Sequence, residues 1–249
     1  MSQPPRRVGR MRIGTWNIER MGRGQKLAES YKTELKRLKA DVVVVTEPGP
    51  GFHALFPEAL MSPDDRPGRE SPEAWVAIVG KNLEAVMSDI PYTRLAVAAR
   101  TEIDGQRVIV YGSVLPWNSA QHHAPDVYGN EKRPFMEIFE RALNEQVGDM
   151  EELRRRYPQD ALIWAGDFNH TLEGRALSRG ASELLRNAIS GLGLTAVNAD
   201  SAHRAAGMNS LDLICVDSSW TCLTVETEYP NVEGRPLSDH CWYVAEVNL

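Results

Sequence analysis

Long apolar runs are missing from this 249-residue chain. None approaches the roughly 18 to 20 consecutive apolar residues that a helix needs to cross a bilayer, so no membrane span is expected. A secretory start is missing too: Arg6, Arg7 and Arg10 are not followed by an apolar stretch, and 1–10 reads as an extended or disordered tail. Cysteine is scarce. Cys215, Cys222 and Cys241 are odd in number, lie in or near apolar runs and show no C-x-x-C spacing. That excludes a disulfide framework and points to thiols in the reducing cytoplasm. Excess positive charge is also lacking, since 28 Lys and Arg face 34 Asp and Glu. A formal charge of −6 argues against a protein that coats nucleic acid by bulk electrostatics, and leaves room only for a local basic patch. Neither a short-period repeat nor a Pro/Gly-rich linker is present, so 11–249 is expected to form one domain.

What is present is an ordinary globular composition, 42% hydrophobic and 25% charged, arranged in short apolar runs. Strands are expected near 11–17, 41–47, 74–80, 95–102, 107–115, 161–166, 211–216, 221–226 and 240–248, and helices near 24–39, 131–156 and 181–191. Leu27, Tyr31, Leu35 and Leu38 keep one face of the first helix apolar. Phe135, Ile138, Phe139, Leu143, Val147, Met150 and Leu153 do the same for the second, with Gly148 expected to split it, and residues 130–134 supply helix-opening types. Pro48 to Gly51 and the charged stretch from Pro63 to Pro72 read as loops, the second long enough to overhang a site. Strands outnumber helices, and both halves run strand, helix, strand, which suggests sheets covered by helices.

Polar residues recur at the ends of these apolar runs. Asn17 closes Ile13-Gly14-Thr15-Trp16-Asn17, Glu47 follows four valines and Thr46, and Asp167 and Asn169 follow Leu162 to Gly166. Asp239 and His240 precede the last strand, and Asp212 lies inside an apolar run where an unpaired carboxylate would be costly. Mostly oxygen donors with one imidazole suit Mg²⁺, Mn²⁺ or Ca²⁺ better than zinc, whose Cys/His ligand spacing is absent. Trp16, Trp75, Trp164 and Trp242 sit in apolar strands and read as core, Trp117 beside Pro116 offers a stacking platform, and His53 and His203 read as ordinary surface histidines.

Thr15-Trp16-Asn17, Thr46-Glu47, Gly166-Asp167-Phe168-Asn169-His170, Ser210-Leu211-Asp212-Leu213-Ile214 and Ser238-Asp239-His240 resemble, in order, the motifs of the endonuclease/exonuclease/phosphatase superfamily. That group includes DNase I-like nucleases, abasic-site endonucleases, inositol polyphosphate 5-phosphatases and bacterial sphingomyelinases. The resemblance implies an α+β fold, a four-layer α/β/β/α sandwich with two mainly antiparallel sheets, and a Mg²⁺- or Mn²⁺-dependent phosphodiesterase. It implies Asn17, Glu47 and Asp239 at the metal, Asp167 on the attacking water, Asn169 on a phosphate oxygen, and His240 on the scissile phosphate, polarised by Asp212. One position departs from the pattern. Where many members aim a His or Tyr at the phosphate, this chain has Val114 and Leu115, so Trp117, Asn118, His122 or His123 takes that place or the role is vacant. Trp117, Asn118, His122 and His170 are the candidate substrate contacts, although His170 also fits a loop position behind the site. Nucleic acid is the expected substrate class, with a small phosphorylated metabolite or phospholipid headgroup as the alternative and a non-catalytic scaffold on the same fold as a third reading. No obligate protein partner is evident.

Overall fold

The structure, a computed structural model, describes residues 9–20, 25–63, 74–86, 95–123, 128–129, 133–175, 178–205 and 207–249. Most of the expected tail, the greater part of the charged loop at 63–72 and the helix-opening residues 130–132 lie outside the described residues. Arg10 does not belong to a tail: it opens β1 (Arg10–Asn17) and pairs with Asn248.

The chain then runs through α1 (Gln25–Arg37), β2 (Val42–Thr46), α2 (Phe52–Leu55), β3 (Leu60–Met61), β4 (Val76–Gly80), β5 (Glu84–Ala85), β6 (Ala96–Ile103) and β7 (Gln106–Val114). It continues with α3 (Ala120–His123), α4 (Phe135–Arg156), β8 (Ala161–Asp167), α5 (Arg179–Gly191) and β9 (Leu194–Ala196). The last strands are β10 (Asp212–Asp217), β11 (Thr221–Glu228), β12 (Asn231–Val232), β13 (Arg235–Pro236) and β14 (Trp242–Asn248). Among the described residues two six-stranded sheets result, in the orders β11-β14-β1-β2-β4-β3 and β5-β6-β7-β8-β10-β9, with β12 and β13 as a separate pair. Each sheet is antiparallel except at one pair, β1 with β2 and β7 with β8. Parallel neighbours need a crossover, and α1 and α4 supply it in the two halves.

Three buried clusters account for the layering. Met11, Ile13, Val42, Val44, Val108, Val110, Ile163 and Ile214 fill the space between the sheets. Tyr31, Leu35 and Leu38 of α1 pack on Trp16, Val43 and Val45, and Phe139, Leu143, Met150, Leu185 and Ile189 of α4 and α5 pack on Ile109, Tyr111, Leu162 and Trp164. Successive side chains of a strand point to opposite faces, so a strand covered on both sides reads as a continuous apolar run. The four valines of β2 illustrate it: Val42 and Val44 face the other sheet, while Val43 and Val45 face α1.

Gly148 does not split α4, which runs unbroken over 22 residues. A helix-interior glycine costs about 1 kcal/mol. The buried stripe of Ile138, Phe139, Ala142, Leu143, Met150 and Leu153 offsets that cost and holds the turn in place. Elements of two to four residues, such as α2, β3, β5 and β9, carry too few positions to show a period and have no counterpart in the sequence reading.

Candidate active site

The alternation that packs the core also delivers the site. Met11 and Ile13 of β1, Ile163 and Ala165 of β8, and Ile214 and Val216 of β10 face the layer between the sheets. Asn17, Asp167 and Asp212 fall on the same parity of their strands, at the end where that layer opens. Asp167 and Asp212 are direct antiparallel partners across β8 and β10. Two polar links then join the sheets across the mouth. Asn17 Nδ2 donates to Asp167 Oδ2 at 2.8 Å, and His240 Nδ1 donates to Asp212 Oδ2 at 2.6 Å. Ser238 carries the segment before β14 into place: its hydroxyl donates to Asn17 O at 2.6 Å and accepts from His240 N at 3.0 Å.

Backbone conformation at the strand ends turns the remaining side chains inward. Glu19, Arg20, Glu47 and Asn169 hold positive φ values of 48°, 54°, 51° and 55°, a conformation that costs a non-glycine residue of order 1 kcal/mol or more and concentrates at working sites. The Asn169 turn is fixed by its own N–H donating to Asp167 Oδ1 at 2.9 Å and its amide donating to Leu115 O at 3.0 Å. Gly166 is required just before it. Its φ is +139°, and a Cβ there would lie 2.0 Å from Ser113 O on β7.

Asn17, Glu19, Arg20, Glu47, Trp117, Asp167, Asn169, Asp239 and His240 line one polar cleft of about 540 Å³. Asp212 lies beneath it, fully buried, with Oδ2 on His240 and Oδ1 without a partner among the described residues. The structure therefore brings together Asn17, Glu47, Asp167, Asn169, Asp239, His240 and Trp117, with Asp212 directly behind His240. It does not bring Asn118, His122 or His170 to the cleft. Asn118 and His122 are exposed on the turn into α3 and on α3 itself, and the His123 side chain lies outside the described residues. His170 is 2% exposed, stacks on Phe135 at a ring separation of 5.5 Å and packs tilted against Phe139 at 4.7 Å. Burial lowers its pKa, so its neutral ring serves as packing. Val114 and Leu115 are buried in the apolar clusters on either side of their sheet.

Sequence reasoning missed three residues. Glu19 accepts from Asp239 N at 3.2 Å, and Arg20 pairs with Glu47 at 3.3 Å. His203, read as a surface histidine, is half-buried with its ring 5.3 Å from that of His240. A lone histidine in a loop carries no sequence signal. Glu19 and Arg20, two and three residues after Asn17, could have been suspected from their nearness to it.

The electrostatics favour a proton-carrying pair. Burial opposes charge on His240, yet the charge and hydrogen bond of Asp212, with Asp167 and Asp239 beyond, outweigh it and push the imidazole up to about 10. Asp167 is raised to about 7, first by burial and then by the charge of Asp212, against the pull of His240, Asn17 and the Asn169 N–H. A buried carboxylate near neutrality beside an imidazolium can move a proton to or from a water at physiological pH.

A hard divalent cation fits this donor set. Glu47 and Asp239 bring carboxylates to the lining, Asn17 Oδ1 accepts from Glu19 N at 2.9 Å and keeps a second lone pair, and the lining holds no Cys and one His, His240. Asp167, Asp212 and His240 also place one ligand atom each within 4.8 Å of one another. In that trio, however, His240 Nδ1 is committed to Asp212, which marks it as an acid–imidazole pair.

Two sheets flanked by helices, closed over an acid–imidazole cleft, define the DNase I-like class of α+β sandwich. The chain belongs to the endonuclease/exonuclease/phosphatase family, which it matches over residues 14–240. Enzymes of this family generally hydrolyse phosphoesters and depend on a divalent metal. No curated protein matches the sequence significantly. Among solved structures, the human Nocturnin catalytic domain with bound sulfate is similar at 17% identity and a TM-score of 0.64, covering 100% of this chain and 99% of that one. The endonuclease domain of TRAS1, a telomere-specific non-LTR retrotransposon, is similar at 15% identity and a TM-score of 0.63, with 96% and 99% covered. Truncated Caenorhabditis elegans TDP2 is similar at 13% identity and a TM-score of 0.62, with 96% and 98% covered. At these identities the likeness is one of fold.

Proposed function

We propose that this chain is a Mg²⁺- or Mn²⁺-dependent phosphodiesterase whose substrate class is nucleic acid. The observation that carries the reading is the pair of cross-sheet links, Asn17 to Asp167 and His240 to Asp212, set in one polar cleft with Glu47 and Asp239. A scaffold has no need of a buried carboxylate facing an imidazole, since burying that charge unpaired would cost several kcal/mol. One structural neighbour being an endonuclease domain supports nucleic acid as the substrate class.

Asn17, Glu47 and Asp239 would hold the cation, which when bound would supply positive charge to the phosphoryl oxygen. The chain's own groups do the rest. Asp167, poised near neutrality, takes a proton from the attacking water and directs it in line. His240, kept charged by Asp212, braces a non-bridging oxygen as negative charge builds on it. Asn169 fixes the phosphate, and Trp117, partly exposed against Trp75 and Tyr128, offers a face to a base.

A small phosphorylated metabolite or phospholipid headgroup is the second reading. It is favoured by the net charge of −6 and by Glu19, Glu47 and Asp239 on the cleft wall, which leave few cations for a long phosphate backbone. Turnover in Mg²⁺ or Mn²⁺ of single-stranded, duplex and abasic DNA, RNA, and phosphoinositide and sphingomyelin analogues separates the two. Hydrolysis of lipid or metabolite esters alone would overturn the nucleic-acid reading, and hydrolysis of none would overturn the enzyme.

A further inference from the structure

His203 lies between β9 and β10 in a segment tied down on several sides. Its N–H donates to Met208 O at 3.0 Å, Ser210 N donates to Ser201 O at 2.9 Å, and Tyr243 OH on β14 donates to Ala202 O at 3.0 Å. The last of these joins the segment to the strand that follows His240. Such anchoring places one side chain, and that side chain is the His203 ring, packed edge-to-face with His240 at 5.3 Å and an interplanar angle of 85°.

The hydrogen bonds fix the chemistry of this ring. Ala205 N lies 3.1 Å from His203 Nδ1, and a backbone N–H can only donate, so Nδ1 is the acceptor and the proton of the neutral ring sits on Nε2. Nε2 is buried and has no hydrogen-bond partner among the described residues. Leaving a buried donor unpaired costs on the order of 1–3 kcal/mol, a cost that a loop histidine with a purely local role would avoid by turning outward. The His240 ring meanwhile makes one hydrogen bond among the described residues, from Nδ1 to Asp212, whereas Nε2 has only an ion-pair contact of 3.7 Å with Asp239 Oδ1 in the cleft that both line. The Cβ–Cγ bond and this hydrogen bond restrain one edge of the ring, and a packed neighbour limits the libration that remains at the edge carrying Nε2.

We propose that His203 is a positioning residue of the candidate site, its ring packing against His240 so that the imidazole held by Asp212 keeps Nε2 aimed into the cleft. This rests on the reading of His240 as the phosphate-bracing group. The role belongs to the ring's shape and burial, and His203 touches neither substrate nor metal.

The test uses His203→Ala and His203→Phe, assayed with Mg²⁺ on bis(p-nitrophenyl) phosphate, with thermal midpoints recorded alongside. Misdirecting a reacting group without weakening binding lowers kcat, so His203→Ala should lose about tenfold in kcat with KM within about twofold. His203→Phe, which keeps an aromatic ring of similar size, should restore most of it. Unchanged kcat in His203→Ala, or failure of a folded His203→Phe to rescue, would overturn the proposal. A crystal structure of His203→Ala gives a readout independent of turnover. His240 should leave the single orientation seen here or adopt a second rotamer. An unmoved His240 would sink the idea even if the enzyme proved active. An inactive wild-type protein with a displaced His240 would instead overturn the proposed function and leave the positioning role standing.

Discussion

At the scale of the residue, the decisive feature is Asp212 beneath His240. A fully buried carboxylate with one oxygen on an imidazole and the other without a partner among the described residues has its charge compensated chiefly by that ring. Asp212→Asn keeps the shape and removes the charge. It should cut kcat roughly 10²-fold with the fold retained, since the group bracing the phosphate loses its proton partner. The sign of the pH effect follows from the raised His240 pKa of about 10. Without the carboxylate the charged ring is lost at lower pH, so the basic limb of the pH-rate profile should move to lower pH. A limb that stays in place would make Asp212 a structural carboxylate.

Elements carry two further consequences. β7 and β8 pair in parallel with Ser113 opposite Gly166, and a Cβ at 166 would collide with Ser113 O. Gly166→Ala should therefore cost more than about 4 kcal/mol or prevent folding, as measured by denaturant titration. α4 carries a different liability. Asp149, 3% exposed, accepts from Tyr111 OH at 3.1 Å, and burial raises its pKa from 3.8 to about 6 in spite of that bond and with some help from Glu145. Between about pH 4 and pH 6 the folded state holds a proton that the unfolded chain has released, so stability falls as pH rises through that window. Asp149→Asn should remove this slope and gain on the order of 2 kcal/mol at pH 7, with no gain at pH 4, by the same titration. The apolar face of α4 was legible in the sequence from Ile138, Phe139, Leu143, Met150 and Leu153, but the burial of Asp149 on it was not. Nor was its lack of a cationic partner among the described residues, because partners come from other elements.

For the whole molecule, the cleft exists only where two sheets meet. Asn17 and His240 come from one sheet and its flanking segment, and Asp167 and Asp212 from the other, so ligands that bind across the mouth favour the closed sandwich. Mg²⁺ should raise the thermal midpoint by mass action, and EDTA should abolish turnover reversibly. Glu47→Gln should raise the Mg²⁺ needed for half-maximal effect on both readouts by about tenfold or more. Full activity in chelator would rule out the metal.

The sequence by itself determined the strands and long helices and the polar residues at their ends, because alternation and helical period are local and every side chain of one parity shares a face. It thereby singled out Asn17, Glu47, Asp167, Asn169, Asp212, Asp239 and His240, which come together over a span of more than 220 residues. Only the tertiary structure decided the choice among residues of equal sequence standing. His170 turned into the aromatic cluster under α4, Asn118 and His122 stayed on the surface, and His203 came to rest against His240. The reason is that a loop histidine has no period to fix its direction. Its environment is set by chain segments distant in sequence, and here those were Phe135 and Phe139 for one histidine and the anchor to β14 for the other.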